Sequence, residues 1–204
     1  MSNLKLNTPV CTLAYPKLAT PDAMNEGDTK QYSVELIFDT DEDLSALTTA
    51  TRDAAQEKWG SKIPKVLKRP IRDGDACRES EAYAGRKFMA ARSKSKPKCY
   101  IKDASGKIVL VDTLVPAGLD PAEREAAVKA KVEEIFYPGC KVVVNVTAAA
   151  FDTGSNGLKF YLNAVMFVAD GERLGGSGGS SADDFANVDA EVCSAASGEE
   201  DVPF

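Results

Sequence analysis

Two long apolar runs near the C-terminus, joined by a short polar turn, constrain the fold of this chain more than any other feature. The first is CKVVVNVTAAAF, residues 140–151, and the second is GLKFYLNAVMFV, residues 157–168. The residues between them are Asp, Thr, Gly, Ser and Asn, which favour turns. Runs rich in β-branched and aromatic residues on both sides of such a turn are typical of a β-hairpin. The sequence therefore predicts a long hairpin as the best-formed part of a sheet.

Shorter runs predict further strands. Residues 4–16 (LKLNTPVCTLAYP) form a first candidate, and residues 31–39 (QYSVELIFD) alternate apolar and polar side chains as a half-buried strand does. A third candidate is GRKFMAARSK, residues 85–94. The segments KCYIK, residues 98–102, and KIVLV, residues 107–111, flank an Asp-Ala-Ser-Gly turn and predict a second hairpin.

Two helices are predicted between these strands. Residues 39–41 (DTD) offer N-caps for a helix that ends near Trp59, and Asp120 caps a helix over residues 121–136 that starts with proline. Residues 62–81, with two prolines and an Asp-Gly pair, are interpreted as a long basic loop. About six strands, mostly linked by hairpins, with inserted helices predict a mainly β chain folded as a small antiparallel barrel.

The composition disfavours an enzyme. The 204 residues include no histidine, which removes the commonest general base and the Ser-His-Asp and Cys-His sites. The five cysteines are odd in number and lack a C-x-x-C pair, so we expect reduced thiols, most of them in the core, and neither disulfides nor a zinc site. The acids Asp73, Asp75 and Glu79 could suggest a metal-dependent nuclease, but Asp-Gly-Asp is common in turns. We expect no catalysis, cofactor or metal.

Membrane association is not expected either. No apolar run reaches the length of a membrane span, and the first residues, MSNLKLNTPV, do not resemble a secretory signal. The sequence therefore predicts a cytoplasmic protein.

The net charge of −6 conceals two regions of opposite sign. No Lys or Arg follows Arg173, and the last thirty residues carry seven acids. Residues 62–107 hold fourteen basic residues against five acidic ones. The sequence predicts three parts: a folded domain over residues 1–173, a Gly/Ser linker over residues 174–182 and an acidic tail over residues 183–204.

The basic middle mixes cations with aromatic rings, as single-stranded nucleic acid requires: cations neutralise phosphates, and rings stack on bases. Neither predicted helix is strongly basic on one face, which argues against reading of the major groove. The candidate nucleic-acid-binding residues are Lys65, Lys68, Arg69, Arg72, Tyr83, Arg86, Lys87, Phe88, Arg92, Lys94, Lys96, Lys98, Tyr100, Lys102 and Tyr161. Phe151, Phe160 and Phe167 are interpreted as core, although Phe160 and Tyr161 must point to opposite faces.

The end of the tail has the properties of a docking peptide. A segment that only improves solubility does not need the apolar residues Val202, Pro203 and Phe204, which follow Asp201. Pro203 restricts the backbone, so less conformational entropy is lost when Phe204 enters a pocket, and the terminal carboxylate can meet a cation there. We expect Asp201, Val202, Pro203 and Phe204 to bind a protein partner.

Several segments resemble single-stranded DNA-binding proteins. The end EEDVPF is similar to the acidic tips of the bacterial proteins, which close with Ile-Pro-Phe. The body resembles a phage family of these proteins at YAGRKFMAARSKSKP (residues 83–97), FYPGCKVVVNVTAAAF (136–151) and GLKFYLNAVMFVADGERLGG (157–176). Val202 in place of Ile departs from the bacterial pattern.

The resemblance implies an OB-fold barrel that binds single-stranded DNA without sequence preference in phage replication and recombination. It also implies a tail that recruits replication or recombination enzymes, such as a polymerase or a primase-helicase, and that occupies the DNA site when DNA is absent. The host would then be an infected bacterium. The sequence leaves open whether the protein forms a homo-oligomer. The alternative is a strand-annealing or RNA-binding factor whose tail is only a solubiliser.

Overall fold

The computed structural model describes residues 4–23 and 26–174. Within these residues the chain forms nine strands, three α-helices and two 3₁₀ turns. The strands are β1 Lys5–Asn7, β2 Cys11–Asp22, β3 Gln31–Phe38, β4 Ile71–Asp73, β5 Lys87–Ser93, β6 Lys98–Lys102, β7 Ile108–Leu110, β8 Lys141–Phe151 and β9 Gly157–Ala169. The helices are α1 Ser45–Trp59, α2 Gly74–Cys77 and α3 Pro121–Ile135, and the 3₁₀ turns are Glu81–Tyr83 and Val111–Leu114.

The predicted C-terminal hairpin is confirmed as β8 and β9, which pair antiparallel from Phe151–Gly157 to Lys141–Ala169. Alternate residues of β8, from Val142 to Ala148, are buried, and their neighbours are half-buried. One face of the hairpin therefore packs on the core while the other faces outward, as period-two alternation requires.

Five strands form the barrel. Strand β2 pairs with β3, β3 with β5, β5 in parallel with β9, and β9 with β8. The circuit returns to β2 through the pairs Cys11–Val142 and Thr12–Lys141, so the barrel closes at one end only. This order confirms the predicted OB-fold-like barrel. The barrel is partly open, and its β5–β9 pair is parallel, whereas an antiparallel barrel was predicted. Its interior is filled by side chains from all five strands, among them Leu13, Leu36, Met89, Val144 and Phe160.

Short strands extend this sheet. Strand β1 adds to the edge of β8, and β4 adds to β5. Strand β6 runs parallel to the second half of β9 and forms the predicted second hairpin with β7. Strand β9 is thus bordered on one side by β5 and then β6, and on the other by β8, which places its outward residues in the middle of a wide surface.

Helix α3 lies where the sequence predicted it, and the predicted Asp120 cap is present. The Asp120 carboxylate accepts hydrogen bonds from the amides of Ala122 and Glu123 at 2.8 and 3.0 Å, and Pro121 occupies the first turn. These bonds hold the pKa of the Asp120 carboxyl below its usual range. Val128 and Val132 are the buried residues of this helix, which contacts β2.

The start of α1 differs from the prediction. The helix begins at Ser45 behind Leu44, not directly after residues 39–41. The Asp43 carboxylate accepts the Ser45 amide at 2.8 Å, whereas Asp39 forms ion pairs with Lys141 and Arg86 at 3.3 and 3.6 Å. Tertiary charge partners therefore take the carboxylate that the local pattern had assigned to the helix.

Two further boundaries were wrong. The expected first strand over residues 4–16 is interrupted at Thr8-Pro9-Val10, and β2 continues to Asp22. The expected loop over residues 62–81 contains β4 and α2, because Ile71, Arg72 and Asp73 pair with Met89, Phe88 and Lys87 of β5. Strand pairing with a distant segment decides both cases, and local propensity does not report it.

Three of the four cysteines in the described part of the chain, Cys11, Cys99 and Cys140, are buried free thiols, as expected, while Cys77 is exposed. Burial raises the pKa of each buried thiol to about 12. No helix over residues 4–23 and 26–174 combines the length and the apolar character that crossing a membrane demands.

Candidate nucleic-acid interface

A broad groove of about 1200 Å³ opens on the outer face of the barrel where β5 and β9 run side by side. The β8–β9 hairpin forms one wall, with Phe151, Leu158, Lys159 and Tyr161. The segment Leu67–Pro70 adjoins this wall, and Ala90 and Arg92 of β5 also line the groove. The groove thus adjoins β5, the third barrel strand, and the β8–β9 hairpin between the fourth and fifth, both of which belong to the surface with which OB folds bind oligonucleotides.

The wall at residues 67–70 is fixed to the hairpin. The Lys68 amide donates to the Asn156 carbonyl at 3.1 Å, and the Leu158 amide donates to the Lys68 carbonyl at 2.9 Å. Gly157 makes this approach feasible, since a Cβ there would lie 2.5 Å from the Phe151 ring and 3.0 Å from the Lys68 Cβ. The groove is therefore formed before any ligand arrives.

Basic side chains dominate the groove. Six line it in the described part of the chain, and no acidic side chain does. They are Lys68, Arg69, Arg72, Arg92, Lys94 and Lys159. Low-dielectric walls that carry one sign of charge raise the local concentration of anions, so this groove attracts a polyanion although the chain as a whole is negative.

Tyr161 gives the groove an accessible ring. Its side chain is 44% exposed, whereas Phe160 on the opposite face of β9 is 2% exposed, which confirms that the two point to opposite sides. The Lys159 Nζ lies 4.6 Å from the Tyr161 ring centroid and 5.5 Å from that of Phe151. Tyr161 is also the cross-strand partner of Arg92. An exposed ring between two cations suits a nucleotide in a strand, because its base can stack on the ring while the phosphates on either side meet the cations.

The model of one protein family, described as the single-stranded DNA-binding protein of Enterobacter phage Enc34, matches residues 4–194. The chain belongs to this family. A curated relative, protein p50 of Acyrthosiphon pisum secondary endosymbiont phage 1, is 27% identical over 196 residues, covering 91% of this chain and 93% of p50.

Solved structures share the fold of the Enc34 family. The single-stranded DNA-binding protein from bacteriophage Enc34, in complex with single-stranded DNA, aligns with a TM-score of 0.64 at 17% identity, over 84% of this chain and 89% of that one. The single-stranded DNA-binding protein gp2.5 of bacteriophage T7 aligns with a TM-score of 0.51 at 18% identity, over 95% of this chain and 98% of its own. These likenesses support the OB-fold-like assignment.

The groove gathers six of the residues that the sequence proposed for nucleic-acid binding. They are Lys68, Arg69, Arg72, Arg92, Lys94 and Tyr161. Lys65 is exposed on the loop that leads into the wall. Lys159 and Phe151 also line the groove and were missed, because Lys159 lies outside the basic middle and Phe151 was interpreted as core. The alternation Lys159, Phe160, Tyr161 could have revealed Lys159, since it shares the outward face with Tyr161.

The proposed stacking role of Tyr83 and Phe88 is wrong for this structure. Both rings are buried, with exposures of 2% and 0%. Residues 74–86, which we name the cap segment, cover the outer face of β5 at Phe88 and place Tyr83 edge-on to it with centroids 5.2 Å apart. Neither ring presents a face to a base.

The cap segment is held by an ion pair. Arg78 donates from Nη2 to both Glu35 carboxylate oxygens at 2.8 and 3.0 Å, and its guanidinium lies 5.4 Å from the Phe88 centroid. The hydrogen bond to Glu35 raises the pKa of Arg78, and burial beside the same carboxylate raises the pKa of the Tyr83 hydroxyl. Arg78 and the Tyr83 ring are therefore engaged in contacts within the protein.

The remaining basic candidates lie outside the groove. Arg86 pairs with Asp39 and donates to the Ala82 carbonyl at 3.3 Å, and Lys87 sits at the end of β5 near Asp73. Lys96 borders a separate depression beside α3. Lys98, Tyr100 and Lys102 lie on β6, next to the second half of β9.

Two of the acids considered for a nuclease, Asp73 and Asp75, accept hydrogen bonds from backbone amides. The Asp73 carboxylate accepts the Asp75 amide at 3.1 Å, and Asp75 accepts the Gly85 amide at 2.8 Å. Over residues 4–23 and 26–174 no three His, Cys, Asp or Glu side chains are grouped as a metal ion would need. The partner-binding candidates Asp201, Val202, Pro203 and Phe204 lie outside the described residues, as do the linker from Gly175 onward and the acidic tail.

Proposed function

We propose that this protein binds single-stranded DNA in the basic groove without sequence preference. The observation that carries the proposal is the groove itself, which is lined by six cations and by the exposed Tyr161 ring. Membership of the Enc34 family supports it, and so does the likeness to a structure solved with single-stranded DNA. Phosphates would meet the cations, and bases would stack on the Tyr161 ring and pack against Phe151.

The lining explains why sequence would not matter. Apart from the cations, its polar side chains in the described part of the chain are Gln31, Ser93 and the Tyr161 hydroxyl. Sequence reading needs donors and acceptors fixed against base edges, whereas stacking and phosphate contacts accept every base. The groove therefore holds a strand by charge and ring faces.

The biological role we propose is phage DNA replication and recombination in the cytoplasm of an infected bacterium. In this proposal the tail, residues 183–204, recruits a polymerase or primase-helicase through Asp201, Val202, Pro203 and Phe204. The same tail competes with DNA for the groove, because its seven acids are anions that follow a Gly/Ser-rich segment. The described chain ends at Leu174, whose amide donates to the Pro138 carbonyl at 3.0 Å and which packs on the cap segment beside the barrel.

Titration of labelled oligo-dT at several salt concentrations, read by fluorescence anisotropy, tests the DNA-binding proposal. If all six groove cations contact phosphates, the logarithm of the affinity falls with the logarithm of salt with a slope of about −4. RNA and duplex DNA at one fixed salt concentration serve as comparison ligands. Affinity independent of salt would contradict the proposal, and preference for RNA would favour the annealing or RNA-binding alternative.

The same titration on a chain that ends at residue 182 tests the tail. Removing the competing anions should tighten binding at low salt, and should abolish capture of a replication enzyme in a pull-down. A truncated chain that binds DNA more weakly would contradict the competition while leaving the groove proposal intact.

A further inference from the structure

The strands on the β9 side of the groove carry no negative charge. Strands β1, β5, β6, β8 and β9 together contain seven Lys or Arg residues and no Asp or Glu. The chain as a whole has 31 acidic residues against 25 basic ones, so composition does not explain this absence. These five strands are neighbours in the sheet, and their outward side chains form one continuous face.

Strand register places the groove in the middle of a longer row. Residues that pair directly across neighbouring strands share a face, and each step covers about 4.8 Å. One row crosses six strands, so it extends for about 24 Å along the sheet. In order from β1 to β2 it contains Lys5, Thr147, Tyr161, Arg92, Ser33 and Lys17. All six are exposed or half-buried.

A second row lies beside it, outside the groove. It runs from Lys98 on β6 through Ala164 and Asn145 to Asn7 on β1. A register shift between the pairs of Asn145 and Val146 leaves Asn163 as an extra residue in β9. Because Leu162 and Val165 on either side are buried, this bulge turns both Asn163 and Ala164 outward.

The amides of this row are held in place. Asn163 Nδ2 donates to Asn145 Oδ1 at 3.0 Å and to Thr147 Oγ1 at 2.9 Å. Asn145 Nδ2 donates to Asn7 Oδ1 at 2.6 Å. The result is an uncharged surface of fixed donors and acceptors next to Tyr161. We name Asn7, Asn145, Thr147, Asn163 and Ala164 the amide platform.

We infer that a DNA strand leaving the groove at Tyr161 crosses the amide platform between β6 and β1, with Lys98 and Lys5 on its two sides binding the phosphates. The inference rests on the proposed function and extends it to a second surface. Continuity with the groove and the positive sign of both flanks favour DNA as the occupant. Neutral amides accept any base or sugar edge without repelling phosphate. The platform lies on the β8–β9–β1 face, away from the strand pair and loops that OB folds ordinarily use.

The test compares two oligo-dT lengths, about 5 nucleotides to fill the groove and about 15 to reach the platform, within the range for one OB fold. The variants are Lys5→Gln and Lys98→Gln in the full chain. Each removed phosphate contact should weaken the long oligonucleotide about fivefold at 0.1 M salt and reduce its salt slope by about 0.7. The short oligonucleotide should bind as it does to the unaltered protein.

Lys107→Gln is the matched control, because it removes one exposed lysine from the β6–β7 turn, away from the two rows. It should leave both lengths unchanged. Equal affinities of the variants and the unaltered protein for the long oligonucleotide would overturn the platform. Equal weakening of both lengths would also overturn it, since the effect would then belong to the groove. Failure of the unaltered protein to bind either length would instead refute the proposed function.

Discussion

Cations lie beside an aromatic ring at both ends of the outer face of β5, but the ring is buried at one end and exposed at the other. At one end Phe88 lies under the guanidinium groups of Arg72 and Arg78, whose carbons are 5.0 and 5.4 Å from its ring centroid. At the other end Arg92 and Lys159 flank the ring of Tyr161. The cap segment buries Phe88, and its own Arg78 is paired with Glu35. Tyr161, Arg92 and Lys159 line the open groove, which Arg72 also borders.

The difference teaches that a mixture of cations and rings does not by itself mark a DNA site. Arg78 is committed to Glu35, a carboxylate that is 9% exposed, and so it stabilises the fold. Arg92 is exposed in a groove that no described acid lines. The deciding property is whether a cation or a ring is already engaged by contacts inside the protein, and four substitutions test it.

The largest effect is expected for Phe88→Ala. Removal of this fully buried ring should lower the free energy of unfolding by about 3–5 kcal/mol, because the lost transfer energy adds to the cost of a cavity. Urea unfolding followed by circular dichroism measures the loss. Under conditions where the variant remains folded, its salt slope for oligo-dT should match that of the unaltered protein. A loss below about 1 kcal/mol would show that the cap segment does not bury the ring.

Tyr161→Ala should have the opposite pattern of effects, with weaker DNA binding and nearly unchanged stability. Loss of one stacked ring should weaken oligo-dT binding by about 1–3 kcal/mol, while the free energy of unfolding changes by less than about 0.5 kcal/mol. The control is Tyr15→Ala, since Tyr15 is 63% exposed but lies on β2 outside the groove lining. Equal weakening by both variants would show that exposure of a tyrosine, and not its place in the groove, determines binding.

The smallest effect on DNA binding is expected from Arg92, and it separates the two arginines. Arg92→Gln should reduce the salt slope for oligo-dT by about 0.7, which corresponds to about a fivefold weaker affinity at 0.1 M salt, without changing stability. Arg78→Gln should leave the slope unchanged and lower the free energy of unfolding by about 1.5–3 kcal/mol, since Glu35 loses its charged donor. Titrations and urea unfolding of both variants provide the comparison, and a slope change at Arg78 would contradict the structural role given to it.

Local patterns predicted the elements with strong local causes. The C-terminal hairpin and α3 follow from alternation, turn residues and the Asp120 cap, all of which act within a few residues. The interrupted first strand, the late start of α1 and the strand within residues 62–81 depend on pairing with distant segments. The groove was predicted in part for the same reason: a run of basic residues is visible in sequence, but the contribution of Lys159 requires β9 to lie beside β5.

The sequence by itself determined that this chain has a mainly β body, separate regions of opposite charge and the composition of a protein that binds unpaired nucleic-acid strands. Only the tertiary structure decided which cations face a ligand. Charge and ring content are properties of single residues, whereas their availability depends on what covers them. The cap segment covers Phe88, and its Arg78 binds Glu35. Parallel pairing of β5 and β9 brings Arg92 to Tyr161. The Arg78–Glu35 and Arg92–Tyr161 contacts join residues far apart in the chain.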